Sequence, residues 1–202
     1  MIVDALHHSD RTVGELGELS GLTTNLLAFH LKVLEEAGVI ARSVSQGDAR
    51  RRYVTLESAL LGLLGEPPPL DRPVERVLFV CTANSARSQL AAHLWQARTG
   101  APALSAGTRP AGRVHPGAVE VARRHGLDLT AARPASYDDI DLRPELMVSV
   151  CDRAREDDLG PDVAFLHWSI PDPAGRDEVV FEDVFRRLST RIDRLARAAR
   201  AA

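Results

Sequence analysis

No apolar run in the 202-residue chain approaches the roughly 18 residues of a membrane span, and the N-terminus lacks a basic stretch followed by a hydrophobic core. A cytoplasmic protein with no membrane partner is therefore expected. Cysteine is scarce: Cys81 and Cys151 are the only two. That is too few for a disulfide scaffold, and cytosolic chains rarely keep structural disulfides, so reactive thiols are the better expectation. Lysine is nearly absent, with Lys32 alone beside 24 arginines, a bias that points to a GC-rich genome. A basic excess is missing too. Residues 1–70 hold 6 Lys+Arg against 9 Asp+Glu and residues 71–202 hold 19 against 19, so neither half coats nucleic acid by charge alone. Low-complexity tracts are absent and 45% of residues are hydrophobic, which at this length favours two folded units.

The seam between them is GEPPPLDRP, Gly65 to Pro73, whose four prolines and glycine can continue neither a helix nor a central strand. The expected division is residues 1–64, a semi-rigid extended linker at 65–73, and residues 74–202. Before the linker the pattern predicts three short helices and a hairpin. TVGELGELSG offers Thr12 as an N-cap with Glu15 in a capping box and stops at Gly21. TTNLLAFHLKVLEEAG places Leu26, Leu27, Leu31 and Leu34 on one stripe and stops at Gly38. VIARSVSQGDARRRYVTL alternates, turns at QGD and alternates again. His7 and His8 are sequence neighbours and point to different sides of a helix, so no metal site is expected from them.

After the linker, strands are predicted at Val77–Val80, Pro102–Ser105, Leu146–Val150 and Val163–Trp168, with helices at Ser85–Arg98, Val114–His125 and Phe181–Arg200. Alternating strands and helices imply an α/β unit with a parallel sheet covered on both faces. Ligands in such sheets collect at the carboxyl ends of strands. VLFVCTANSARSQLAAHLW puts Cys81 at such an end, followed by a tight loop and the first turn of a helix. Converging N–H groups of Thr82, Ala83, Asn84, Ser85, Ala86, Arg87 and Ser88, with the helix dipole, would bind a tetrahedral oxyanion and favour the thiolate. Arg87 can grip two oxyanion oxygens, Ser88 can donate to the thiolate, and the Asn84 side chain can hold the loop open. His167 and Trp168 read as core, His115 as a solvated loop residue, and the amphipathic C-terminal helix as packed on the sheet.

The stretch from TVGELGELSG to RRRYVTL resembles the ArsR-type winged-helix repressors over roughly residues 1–60. The resemblance implies a winged helix-turn-helix that binds a DNA operator, with Thr24, Asn25, Phe29 and His30 near the bases and Arg50, Arg51 and Arg52 on phosphate. It also allows a homodimer, although those repressors usually begin with a further helix that helps dimerise and here Met1 starts almost directly at the helix-turn-helix. Residues 1–80 contain no cysteine, so arsenite sensing by thiolates of this half is not expected.

Residues 75–200 resemble the arsenate reductases built on the low-molecular-weight tyrosine phosphatase fold, through CTANSARSQ, SAGT at Ser105, HPGAVEVARRHGLDL, VSVCDRARE around Cys151 and HWSIPDPAG around Asp172. That resemblance implies a four-stranded parallel sheet of order 2-1-3-4, Cys81 as nucleophile, Arg87 as oxyanion ligand and Asp172 as general acid. Cys151 would stand at the same sheet edge as Cys81, within disulfide reach, as the second thiol of a reductase. Phosphatases of the fold commonly carry an aromatic after the Asp-Pro pair, and here Ala174 and Gly175 follow. Where thioredoxin-coupled reductases carry a third cysteine this chain has Asp158, so either a small thiol such as mycothiol or glutathione attacks the Cys81 adduct directly or a Cys81–Cys151 disulfide forms and an external redoxin such as thioredoxin reduces it, with mycothiol and mycoredoxin preferred on the GC-rich composition and no bound cofactor expected. Ala92 replaces the glutamate of potassium-binding relatives, so no metal or potassium dependence is expected. A phosphatase, or an arsenate- or phosphate-responsive regulator without turnover, is the alternative reading.

Overall fold

The computed structural model describes residues 1–61, 63, 65–71, 73–141, 144–157, 159 and 164–200, without the side chains of Ser58 and Leu61. Val163, where the last strand is predicted to begin, lies outside the described residues, as do Asp158, Leu64, Arg72, Ala201 and Ala202.

Thr12 ends a short strand, β1 (Arg11–Thr12), after a single helical turn, α1 (Ile2–Ala5), and caps α2 (Val13–Ser20). Its hydroxyl accepts from the Glu15 amide at 3.2 Å while the Glu15 carboxylate accepts from the Thr12 amide at 2.7 Å. Gly21, at φ 63°, terminates the helix in a left-handed conformation. Thr12→Ala should lower stability by about 1 kcal/mol, measured by denaturant unfolding. Helix α3 (Thr24–Glu36) buries Leu27 and Leu31 and half-buries Leu34, but Leu26 is 44% exposed. The four-leucine stripe is thus corrected: at about 100° per residue, Leu26 precedes Leu27 onto the outer face. Strands β2 (Ile40–Val44) and β3 (Arg52–Leu56) form the hairpin, with Ile40 opposite Leu56 and Val44 opposite Arg52, and β1 joins the free edge of β3. A further turn, α4 (Ser58–Leu61), was not legible in the pattern. The N-terminal region is therefore a small antiparallel sheet with helices, its core built on Leu6, Leu16, Leu27, Leu31, Ile40, Val54 and Leu56.

The proline-rich segment lies against the rest of the molecule rather than bridging solvent. The Pro68 carbonyl faces His8 Nε2 at 2.9 Å, and the Leu70 amide donates to the Ala198 carbonyl at 3.3 Å.

Beyond it, β4 (Val77–Cys81), α5 (Arg87–Thr99), β5 (Ala103–Gly107), α6 (Pro116–Arg124), β6 (Leu146–Ser149), α7 (Asp152–Glu156), β7 (Ala164–His167) and α8 (Glu178–Arg200) follow in turn. The sheet is parallel throughout, in the order β5-β4-β6-β7, which is the 2-1-3-4 order the resemblance implies. Helix α5 begins at Arg87 rather than Ser85, because Ser85 and Ala86 belong to the loop after Cys81. α7 and a 3-10 turn at Tyr137–Asp139 were not predicted, being too short to carry a period. β4 is buried along its whole length, and α8 turns Phe181, Val184, Leu188, Ile192 and Leu195 into the same core.

The two regions share a polar seam. Asp10, fully buried, accepts from the Ser169 amide at 2.7 Å and from Arg191 at 2.8 Å, and its own amide donates to the His167 carbonyl at 2.7 Å. Trp168 Nε1 donates to the His8 carbonyl at 2.9 Å, and the Tyr53 ring lies 4.4 Å from that of His167.

Candidate active site

Cys81 is the last residue of the central strand and stands level with Gly107 on β5. A Cβ at Gly107 would come 2.7 Å from the Thr82 carbonyl oxygen and 3.0 Å from the Asn84 nitrogen, so only glycine lets β5 support the loop this closely. The loop carbonyls are engaged from outside: Thr82 accepts from the Arg109 amide at 2.8 Å, Ala83 from Ala111 at 2.9 Å and Ser85 from His115 at 2.8 Å. In a planar trans peptide the following N–H points the opposite way, so the Ala83, Asn84 and Ala86 amides turn toward the loop's interior. The Asn84 amide does so visibly, donating to Cys81 Sγ at 3.2 Å.

Asn84 holds this turn with a positive φ of 47°, which asparagine tolerates better than most residues. Its buried side chain donates to Ser88 Oγ at 2.8 Å and accepts from Gln89 Nε2 at 3.1 Å and the Ala135 amide at 2.8 Å. Ser88 Oγ in turn sits 3.0 Å from Cys81 Sγ.

Arg87 opens α5 and is almost wholly buried, donating to the Ile170 carbonyl at 3.0 Å and pairing with Asp172 at 3.1 Å. Asp172 is half-exposed on the loop after β7, its carboxylate also accepting from the Ala174 amide at 3.2 Å. Cys151 caps α7, its sulfur 3.4 Å from Thr82 Oγ1 and 3.5 Å from the Ala154 amide. Both cysteines are free, buried thiols at the ends of adjacent strands. Burial pushes the Cys151 thiol up; the Arg87 guanidinium opposes this and the neighbouring Cys81 adds to it. A cleft of about 310 Å³ is lined by Thr82, Arg87, Cys151, Asp152, Arg153, Asp172 and Gln46.

Gln46 was seen in the sequence only as part of a hairpin turn. Its Oε1 accepts from the Asp172 amide at 3.0 Å, and its own amide donates to Asp152 at 2.9 Å. Burial alone would raise the Asp152 carboxyl, but hydrogen bonds from His167, the Gln46 amide and Ser169 outweigh it and hold it below the usual carboxylate range. His167 is core as expected, yet it is also polar: its Nδ1 lies 2.8 Å from Ser149 Oγ and its Nε2 3.2 Å from Asp152. His115 is corrected. It is a half-buried N-cap whose Nδ1 accepts from the Gly117 amide at 3.1 Å, stacked on Phe181 at 4.8 Å. No period or motif reveals Gln46 or His115, because both act through contacts distant in sequence.

On α3, Thr24, Asn25 and Phe29 are exposed and His30 is half-buried against Phe29. Arg50 is exposed but paired with Asp48 at 2.9 Å, Arg51 lies 3.9 Å from the same carboxylate, and Arg52 is exposed on β3. The turn beside them rests on the C-terminal region instead of projecting into solvent. His7 faces Arg194 at 3.2 Å while His8 faces Pro68. Among the described residues no group of three or more His, Cys, Asp or Glu could hold a metal ion, and no helix is long and apolar enough to cross a membrane.

Residues 76–202 match the family model of the low molecular weight phosphotyrosine protein phosphatases. Arsenate reductase 1 of Bacillus cereus (strain ATCC 10987 / NRS 248) is 33% identical over 125 residues, spanning 59% of this chain and 92% of that protein. The crystal structure of arsenate reductase from Archaeoglobus fulgidus DSM 4304 is 33% identical and superposes with a TM-score of 0.54 over 59% of this chain and 98% of that one. The YwlE arginine phosphatase from Geobacillus stearothermophilus is 26% identical, with a TM-score of 0.55 over 64% and 94% of the two chains.

Proposed function

Because the chain belongs, through residues 76–202, to the low molecular weight phosphotyrosine protein phosphatase family, we propose that it uses the Cys81 loop as a thiol-dependent arsenate reductase. The observation that carries this reading is a second free thiol, Cys151, lining the same cleft as Arg87 and Asp172. Hydrolysis of a phosphate ester needs one thiol; reduction needs two electrons, which a pair of thiols can supply. Similarity to the two arsenate reductases supports the same choice. The phosphatase alternative is disfavoured by Ala174 and Gly175 after the Asp-Pro pair, which provide no aromatic wall for an aryl group.

In this scheme arsenate sits on the loop amides and Arg87. The Cys81 thiolate attacks arsenic, forming an S–As bond, while one arsenate oxygen leaves as water with a proton from Asp172. The Cys151 thiolate then attacks Cys81 Sγ; the S–As electron pair passes to arsenic, releasing arsenite and leaving a Cys81–Cys151 disulfide. An external thioredoxin, or mycothiol with mycoredoxin, or glutathione returns two electrons. The full chain should turn over arsenate with at least one of these donors, and no turnover with any would remove the enzyme claim.

Cys151, pushed up by burial, is largely protonated at neutral pH, so its attack is limited by thiolate fraction. Once the Cys81 adduct has formed, its conversion to the disulfide should accelerate with pH above 7, by up to about tenfold per pH unit. Quenched alkylation and mass measurement would follow it, and a plateau reached already at pH 7 would contradict the assigned order of attack.

A second reading covers residues 1–64, with 65–73 as linker and 74–202 as the enzyme unit. The succession of helix, strand, two helices and hairpin, with Thr24, Asn25 and Phe29 outward on α3, favours a winged helix that binds DNA. Phosphate contacts by Arg50, Arg51 and Arg52 would need the docked turn to come free. A DNA-shift assay with promoter fragments checks it: absence of any sequence-specific shift would leave this region as part of the enzyme alone.

A further inference from the structure

The turn between β2 and β3 is fastened to α7 at several points. Ser45 Oγ and the Asp48 amide donate to the two oxygens of Glu156, at 2.7 and 2.6 Å, and Tyr53 donates to the same carboxylate at 3.3 Å. Gln46 is pinned on both sides of its backbone, its N–H donating to Asp152 at 2.9 Å and its carbonyl accepting from Arg153 Nε at 3.0 Å. A Cβ at Gly47 would collide with the Glu156 carboxylate and lie 3.2 Å from Arg153 Cα, so glycine is what lets the turn come this close. With its backbone held, Gln46 extends its side chain across the cleft, where Oε1 accepts from the Asp172 amide at 3.0 Å.

Asp172 has few other restraints. Its loop has no regular structure, and its carboxylate is tied to Arg87 at 3.1 Å and to the Ala174 amide two residues on. An oxyanion bound to Arg87 competes directly for the first of these, so that ion pair weakens just when the acid is needed. The bond to Gln46 uses the Asp172 backbone N–H and does not involve Arg87. An oxyanion on Arg87 does not compete for it.

On the reading of Asp172 as the general acid, we propose that Gln46 is a positioning residue of the active site: the N-terminal region reaches over the cleft and holds the Asp172 loop in place while the oxyanion occupies Arg87. The N-terminal region thereby completes a site that the C-terminal region does not fully build by itself.

Gln46→Met keeps the side chain's bulk and removes its acceptor. In the full chain it should lower kcat for arsenate reduction at least about fivefold with a smaller change in KM, since proton delivery suffers more than oxyanion binding. Gln46→Glu keeps the acceptor and adds a negative charge; it should recover most of kcat while raising KM. Amide hydrogen exchange of the 170–175 segment should be at least about tenfold faster in Gln46→Met than in wild type. Exchange that is unchanged overturns the proposal whatever the kinetics, and so does faster exchange with unaltered kcat. If wild type fails to turn over arsenate with every donor supplied, the reductase reading has failed, and exchange measured with and without inorganic phosphate alone decides whether Gln46 holds the loop.

Discussion

Cys81→Ser is expected to reduce arsenate turnover by about three orders of magnitude or more, to the limit of detection. A serine hydroxyl at this position stays protonated near neutral pH, so attack on arsenic is slow. The deeper deficit is electronic: oxygen cannot stand in for the sulfur that Cys151 attacks, and no two-electron transfer to arsenic follows. The oxyanion cradle itself should survive, because Arg87, the loop amides and the Asn84 bonds to Ser88, Gln89 and Ala135 do not require the thiol. Stabilisation by inorganic phosphate in thermal unfolding should therefore persist. Loss of turnover with retained phosphate binding is the expected pair of results. Retained turnover would remove Cys81 from the chemistry. Cys151→Ser should behave differently, permitting the first step and accumulating an adduct on Cys81 unless a small thiol in solution replaces the missing partner.

Asp10→Ala is expected to destabilise the whole chain by about 3–5 kcal/mol, the usual cost of removing one member of a buried ion pair. Asp10 is fully buried and Arg191 nearly so, with both Asp10 oxygens within 3.1 Å of the guanidinium. Alanine would leave that guanidinium without its counter-charge and the Ser169 amide without its acceptor. The pair joins the residue before β1 to α8, so the loss should appear as one lowered transition rather than as selective melting of either region. At this chain length the melting temperature should fall by roughly 6 °C or more. Asp10→Asn keeps one acceptor oxygen, enough for the Ser169 amide and the longer of the two contacts to Arg191, and should cost less. Equal losses for the two substitutions would mean that charge contributes nothing at this seam.

Much of the local arrangement around Cys81 is legible in the sequence. Cys81, Arg87 and Ser88 stand in a strand-loop-helix pattern whose local geometry is set by neighbouring residues, and Thr12 with Glu15 forms the capping box that their spacing describes. Periodicity placed the long helices and buried strands to within a few residues. It missed α7, too short for a repeat, and put Leu26 on the wrong face, because a leucine beside the apolar stripe reads like one within it. His115 looked like an ordinary loop residue; only packing against Phe181 and the following helix explains it.

By itself the sequence determined the parallel α/β order, the strand-loop-helix setting of Cys81 and Arg87 and the presence of just two cysteines, since these depend on hydrophobic period and on residues adjacent along the chain. The tertiary structure alone decided that Gln46, 126 residues before Asp172, meets the acid loop, that Gly107 must lack a side chain, and that Asp10 is sealed against Arg191. Each of these is a contact between segments far apart in sequence. Such contacts leave no local signature: they arise when the fold brings distant segments together, and no spacing within either segment encodes the other's position.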